Sequence, residues 1–309
     1  MHHRHLGITG LQVPIVGFGA SPLGGVFGPV ETGEAAQAVA AAIDLGIDLF
    51  DVAPYYGLTR AETVLGDALS TIPRDRYTLA TKVGRYGADE FDFTAERVLR
   101  SIEESLRRLR VETVDIITCH DIEFVPLEQV IGEAVPALHR ARDQGKARFI
   151  GVSGLPLSIY SHVLDQVPLD TILSYCHHTL FDAGLAEQLP YLQAQRVGVI
   201  NASPFAMGLL TAGPLPDWHP AGEDIRAACR AAADHCARRG ASLARLSLQF
   251  SVSNPGIPTT LTGIRSRREV EQNAAWVAEP MDAGLLAEVE AILAPIRGRS
   301  WRSGRSANS

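Results

Sequence analysis

The sequence predicts an α/β protein, a (β/α)8 TIM barrel formed by a single domain over residues 1–309. Three observations carry that expectation. Short β-rich runs alternate with amphipathic helical stretches, the pattern of a parallel sheet with crossover helices. The alternation occurs eight times, which closes a barrel more naturally than it extends an open sheet, and barrels of roughly this length form one domain. No Gly/Ser linker, low-complexity block or longer repeat interrupts it, so no internal boundary is drawn.

The elements follow in order. Leu6 to Val13 reads as an N-terminal β-hairpin turning at Thr9-Gly10. Ahead of it, His2, His3, Arg4 and His5 read as a frayed terminus and not as metal ligands. Eight strand candidates come next: Ile15 to Gly19, Leu49 to Asp51, Tyr77 to Lys82, Val114 to His120, Phe149 to Ser153, Thr171 to Tyr175, Gly198 to Ala202 and Thr260 to Gly263. Helical stretches such as Thr32 to Leu45, Thr94 to Leu109, Leu127 to Gln144 and Asp224 to Arg239 lie between them, several opened by Thr or Asp caps. An extra C-terminal helix, Asp282 to Leu293, follows the eighth unit. Gly298 to Ser309 is then expected as a flexible tail, free or laid across the barrel mouth.

Composition narrows the functions. A net charge of −7, with no dense basic run, argues against nucleic-acid or anionic-membrane partners. No apolar stretch reaches the roughly 18 residues of a membrane span, and the polar start is no signal peptide. The expectation is a cytoplasmic protein, monomeric or weakly homodimeric. Cys119, Cys176, Cys229 and Cys236 show neither CxxC spacing nor a disulfide framework and are read as reduced thiols. His177 and His178 beside Cys176 lack further partners at metal-ligand spacing, so no metal is expected there.

In such a barrel the chemistry collects at the C-terminal ends of the strands, where the loops converge on one mouth. Asp51, Lys82 and His120 stand at three successive strand ends, and Tyr56 lies in the loop just past Asp51. Only Lys82 and Lys146 are lysines among 28 basic residues, so a lysine at the end of the run Tyr77 to Lys82 marks a place that needs a compact ammonium. A tyrosine hydroxyl ordinarily titrates near pH ~10, and a neighbouring ammonium favours its phenolate. With Asp51 holding Lys82 and His120 offering a hydrogen bond to a substrate oxygen, the set is an acid/base device for carbonyl and alcohol chemistry. Gly17, Gly19, Gly24, Gly25 and Gly28 enrich the first loop, yet no GxGxxG opens a helix, so the dinucleotide fingerprint of a doubly wound fold is absent.

These residues resemble a family. Asp51-Val-Ala-Pro-Tyr-Tyr56-Gly, Ala80-Thr-Lys82 and Cys119-His120-Asp121 look like the tetrad motifs of the aldo-keto reductases, over nearly the whole chain from Leu6 to about Asn273. More narrowly, Gly17 to Gly25, Cys119 to Phe124, Ile172 to His177 and Ala202 to Leu210 look like the L-galactose dehydrogenase branch. The resemblance implies a barrel that binds an extended nicotinamide dinucleotide without a Rossmann fold and acts on an aldose. It casts Tyr56 as acid/base, Lys82 and Asp51 as its tuning pair, and His120 as the group that orients the sugar oxygen. Ser153, Gly154, Ser174, Ser203, Pro204, Met207, Leu209, Gly263, Arg265, Glu269, Gln272 and Asn273 would contact the cofactor. Phe27, Tyr55, Asp121 and His178 are the candidates for the sugar pocket.

The chain departs from the wider family at three positions. The usual Asn after Ser153 is Gly154, the usual Gln at Ser174 is missing, and Ala202 stands where the family carries an aromatic that stacks on nicotinamide.

The expected reaction is oxidation of the C1 hydroxyl of an L-galactose-like aldose to its lactone, with NAD in preference to NADP. That preference rests on Glu269, aligned where NADP-using members carry an arginine, and on Gly263 where many carry a lysine. Arg265, Arg267 and Arg268 stand against it. Oxidation of L-fucose, a D-threo-aldose or pyridoxal, an NADPH-dependent carbonyl reductase, and a non-catalytic cofactor-binding subunit are the alternatives.

Overall fold

The computed structural model describes residues 1–26, 28, 30 and 32–308. The candidate sugar-pocket residue Phe27 therefore lies outside the described residues. Strands β1 (His3–His5) and β2 (Gln12–Pro14) pair antiparallel. The barrel is closed and parallel: β3 (Val16–Gly19), β4 (Leu49–Asp51), β5 (Thr78–Val83), β6 (Val114–Cys119), β7 (Ala147–Gly154), β8 (Thr171–Tyr175), β9 (Gly198–Ala202) and β10 (Thr259–Gly263), with β10 returning to β3.

The N-terminus is not frayed. His3 Nε2 lies 3.0 Å from Asp48 Oδ1, and the Arg4 guanidinium donates to three backbone carbonyls, of Val252, Asn254 and Ile257, each at 2.9 Å. Pairing with β2 across the turn at Thr9-Gly10 makes His3–His5 a strand, and those long-range side-chain bonds hold it to the barrel. Leu6, Leu11 and Val13 then fill the barrel floor against Leu49, Ile116, Ile200 and Leu261. Gly7 is required at that plug: its φ is +52°, and a Cβ there would lie 2.4 Å from the Gly198 nitrogen.

Helices α1 (Thr32–Asp44), α2 (Arg60–Leu69) and α3 (Ala95–Leu109) follow β3, β4 and β5. In α3 the Thr94 side chain caps Arg97 N, and Val98, Ile102, Leu106 and Leu109 bury one face at helical spacing. The next helical stretch is α4 (Leu127–Gln129), a π turn (Val130–Ala134) and α5 (Val135–Asp143). Then come α6 (Ser158–Leu164), α7 (Gly184–Ala194), α8 (Glu223–Arg238), α9 (Leu243–Ser253), α10 (Arg267–Ala278) and α11 (Ala283–Leu293).

The segment after β9 thus holds two helices, where the sequence pattern suggested one. With α11 they build a second apolar core, in which Cys229 and Cys236 of α8 pack with Leu246 of α9 and Leu285 and Val289 of α11. All four cysteines are buried and unpaired. No helix among the described residues is long and apolar enough to cross a membrane.

The C-terminal segment is a strap across the mouth, which replaces the expectation of a flexible tail with its alternative. Gly298 N donates to Phe181 O at 2.7 Å, Ser303 Oγ to Glu123 Oε1 at 2.8 Å, and Arg305 N to Glu123 O at 2.9 Å. Asn308 Nδ2 reaches Val125 O at 2.7 Å.

Candidate active site

Alternation along the strands decides which polar side chains reach the mouth. Leu49, Ala80 and Ile116 belong to the apolar layer inside the barrel, whereas Phe50, Leu79, Val83 and Ile117 face the helices. Two-residue periodicity then carries Asp51, Lys82 and, from Ile116 through Thr118, His120 to the inner side at the C-terminal ends. The turn after β4 brings Tyr56 over them. It packs on the first loop so closely that a Cβ on Gly57, φ +62°, would lie 2.2 Å from Gly24 O.

Lys82 is 1% exposed and its three N–H donors meet three acceptors: Asp51 Oδ1, Val52 O at 3.0 Å and Tyr56 Oη at 3.3 Å. Burial works against the ammonium, but the Asp51 carboxylate and the Tyr56 oxygen outweigh it and raise its pKa above the ordinary value. Burial also pushes the Tyr56 hydroxyl up to about 12, with Lys82 pulling it down and Asp51 and Asp121 adding to the rise. The sequence expectation that Lys82 favours the phenolate holds for that one contact; desolvation and the two carboxylates outweigh it.

His120 meets Tyr56 edge-on, with ring centroids 5.4 Å apart at 88°. Burial first, then the charges of Lys82 and Arg85, hold its pKa well below the ordinary value, so the imidazole is neutral at pH 7. Its Nδ1 is buried without a partner, and Nε2 lies 3.7 Å from Asp121 Oδ2. A buried phenol against an ammonium, with a neutral imidazole across from it, can exchange a proton with an oxygen bound between them.

A cleft of about 780 Å³ opens over these four residues. It runs past Ser153, Ala202, Ser203 and Met207 to Thr262 and Gly263, and the strap contributes Trp301 to Gly304. Four of the candidate cofactor residues, Ser153, Ser203, Met207 and Gly263, line it. Gly19 lets this wall close up, since a Cβ there would lie 2.9 Å from Thr262 O, and Ser203, Ala206 and Met207 turn the loop after β9 through positive φ.

Of the other cofactor candidates, Asn273 is buried with its Nδ2 donating to Thr262 Oγ1 at 3.1 Å, while Gln272 is exposed. Ser174, Pro204 and Leu209 are buried outside the cleft lining. Tyr55 and Asp121 line the cleft, but His178 does not: it is buried against Phe250, and neither ring nitrogen has a partner. Among the described residues no cluster of His, Cys, Asp or Glu could hold a metal ion.

Tyr175, Arg85 and Trp218 are among the lining residues that the sequence does not single out. Tyr175 is the register partner of Ala202 and supplies an aromatic ring beside the position where the family's stacking ring is missing. Arg85 pairs with Asp121 and lies over the Tyr55 ring at 3.9 Å. Trp218 rims the cleft from the loop before α8.

Gly154 also gains a physical reason. A Cβ there would lie 2.3 Å from Ile159 Cδ1 and 2.5 Å from Glu123 Oε2, so an asparagine would require both buried side chains to shift. Glu123 Oε1 accepts from Leu155 N at 3.1 Å and from Ser303, and burial together with Asp121 pushes its pKa up to about 7.

A raised carboxyl pKa favours the fold while the group is protonated. That stabilisation is full below pH ~4.5 and lost as pH rises through about 7, by at most ~3 kcal/mol. Thermal denaturation should therefore show wild-type Tm falling from pH 5 to pH 8 more steeply than that of Glu123→Gln. Parallel curves would refute the assignment.

A closed parallel barrel whose mouth gathers a buried Lys–Asp pair, a tyrosine and a neutral histidine defines a carbonyl–alcohol oxidoreductase of the barrel type. The family model described as the aldo/keto reductase family matches residues 15–294, and the chain belongs to this family. Its members use nicotinamide cofactors. The chain is 51% identical to the L-galactose dehydrogenase of Arabidopsis thaliana, over 97% of each chain. It is 31% identical to a D-threo-aldose 1-dehydrogenase of a Pseudomonas species, over 93% of this chain and 96% of the relative. An aldo-keto reductase structure from Bacillus halodurans superposes with a TM-score of 0.80 over 99% of this chain and all of its own, at 23% identity, which speaks for the fold.

Proposed function

We propose that this protein is an NAD-dependent dehydrogenase that oxidises the C1 hydroxyl of an L-galactose-like aldose to the lactone. The observation that carries the reading is the Tyr56 hydroxyl, held 3.3 Å from a fully buried ammonium that Asp51 keeps charged. The two dehydrogenase relatives, both named for sugars, support the substrate class. When bound, the dinucleotide supplies the hydride acceptor. His120 donates to the sugar oxygen and orients it, and Tyr56 takes the C1 hydroxyl proton, with Lys82 stabilising the phenolate that this requires. A cyclic hemiacetal yields a lactone and not a free aldehyde, which favours oxidation. An NAD-coupled screen of L-galactose, L-fucose, D-arabinose, L-glucose and pyridoxal tests the reading; L-galactose should lead it. Cofactor binding without turnover of any of them would overturn the enzymatic assignment.

Glu269 supports the choice of NAD in a way that also constrains its test. Its carboxylate closes a capping box at the start of α10, accepting from Arg265 N at 2.8 Å and Ser266 N at 3.3 Å, and it lies 3.4 Å from Arg265 Nε. A carboxylate here repels a ribose phosphate and draws one candidate arginine to itself. Glu269→Gln removes the charge while keeping a capping side chain. The NADP/NAD ratio of kcat/KM should rise by up to about fivefold, the range of a partly exposed charge. Equal or better use of NADP by the wild type would sink the preference.

A further inference from the structure

We infer that the Arg85–Asp121 pair is the subsite that reads the hydroxyl adjacent to the reacting carbon of the sugar, making Arg85 a specificity-determining residue. The inference rests on the aldose reading above. Both side chains line the cleft beside the tetrad. Arg85 Nη1 donates to Asp121 Oδ2, and Asp121 Oδ2 stands 3.7 Å from His120 Nε2. A sugar whose reacting oxygen sat between Tyr56 and His120 would bring its neighbouring hydroxyl toward the pair.

Several features set the pair apart from an ordinary ion pair. The guanidinium lies over the Tyr55 ring at 3.9 Å, with the Phe91 and Phe124 rings each 5.2 Å away, and those two rings stack on each other at 4.6 Å. That aromatic surround fixes the guanidinium plane. Asp121 takes a left-handed φ of +53°, a conformation with a steric cost for a residue carrying a Cβ, and its amide is held by Ser153 Oγ at 3.2 Å. A guanidinium has five N–H donors and one carboxylate oxygen cannot use them all. The pair therefore offers a fixed donor and a fixed acceptor side by side, the complement of a hydroxyl that both gives and takes a hydrogen bond. An ammonium at position 85 would lack the planar fork that stacks on Tyr55.

The test compares an aldose that the enzyme oxidises with its 2-deoxy analogue, by kcat/KM, in the wild type, Arg85→Met and Asp121→Asn. The wild type should prefer the parent sugar by on the order of 10- to 100-fold, the range of a hydrogen bond to a charged group. In either variant the ratio should collapse toward one, because only the parent sugar carries the hydroxyl that the pair reads, while any effect on the chemical step through Tyr56 or His120 is common to both substrates and cancels. A general structural defect would lower both substrates together and leave the ratio in place, which would overturn the inference. A wild type that treats the two sugars alike would overturn it too. Asp121→Asn is close to isosteric and serves where Arg85→Met fails to fold, with dinucleotide fluorescence as the folding control. If no aldose is oxidised by the wild type, the substrate reading itself has failed, an outcome distinct from an unchanged ratio.

Discussion

Tyr56→Phe should lower kcat by about 10²- to 10⁴-fold, the usual contribution of a general acid/base, while dinucleotide affinity stays near that of the wild type. The substitution removes one oxygen, and the ring keeps its edge-on contact with His120 and its place 5.0 Å from the Lys82 ammonium. Since burial pushes the hydroxyl up to about 12, wild-type oxidation should speed up with pH across the neutral to alkaline range as the phenolate fraction grows. The phenylalanine variant should lose that slope. Tyr55→Phe is the control. Its hydroxyl lies outside the Lys82 contacts and its ring carries Arg85, so the chemical step should change little. Retention of more than a tenth of wild-type turnover in Tyr56→Phe, measured with saturating dinucleotide, would remove Tyr56 from this role.

What was legible in the sequence follows how local each signal is. Leu49–Asp51, Thr171–Tyr175 and Gly198–Ala202 are strands with the bounds read from the sequence, because short apolar runs ending in turns are local patterns. The tetrad was readable for the same reason: strand parity alone puts Asp51, Lys82 and His120 on the inner side of the mouth. The ordering of the N-terminus was not, since the groups that hold the His3 and Arg4 side chains, Asp48 and the carbonyls of Val252 to Ile257, are remote in the chain.

On the other side of the cleft Tyr55 and Asp121 were legible, but Arg85 was not, for a related reason. Arg85 gains its meaning from Asp121 and Tyr55, and Gly154 from Glu123, pairs that only the closed barrel brings together. His177 and His178 looked alike in sequence. In the fold one is held by Asp182 at 2.8 Å and the other stacks on Phe250.

Lys82→Arg should abolish most activity although it preserves the charge. The ammonium is enclosed, with each donor matched to Asp51, Val52 O or Tyr56, and a planar guanidinium is too large for the enclosure and lacks the three-way geometry to replace it. A loss of at least about 10²-fold in kcat is expected, in line with the acid/base it serves. Lys146→Arg should be nearly silent, since that side chain is about one-third exposed and pairs with Glu103 at the surface. Equal behaviour of the two variants would mean that the rarity of lysine in this chain carries no functional information.

Stability and chemistry can be separated at the same site. Lys82→Met strands the buried Asp51 carboxylate, and breaking a buried pair from one side costs about 3–5 kcal/mol, so Tm should drop sharply. Lys82→Met combined with Asp51→Asn removes both charges and should recover much of that Tm. It should not recover turnover, because no ammonium remains to stabilise the Tyr56 phenolate. Recovery of activity alongside Tm, followed by NADH formation and thermal denaturation on the same preparations, would show that Lys82 serves the fold and not the reaction.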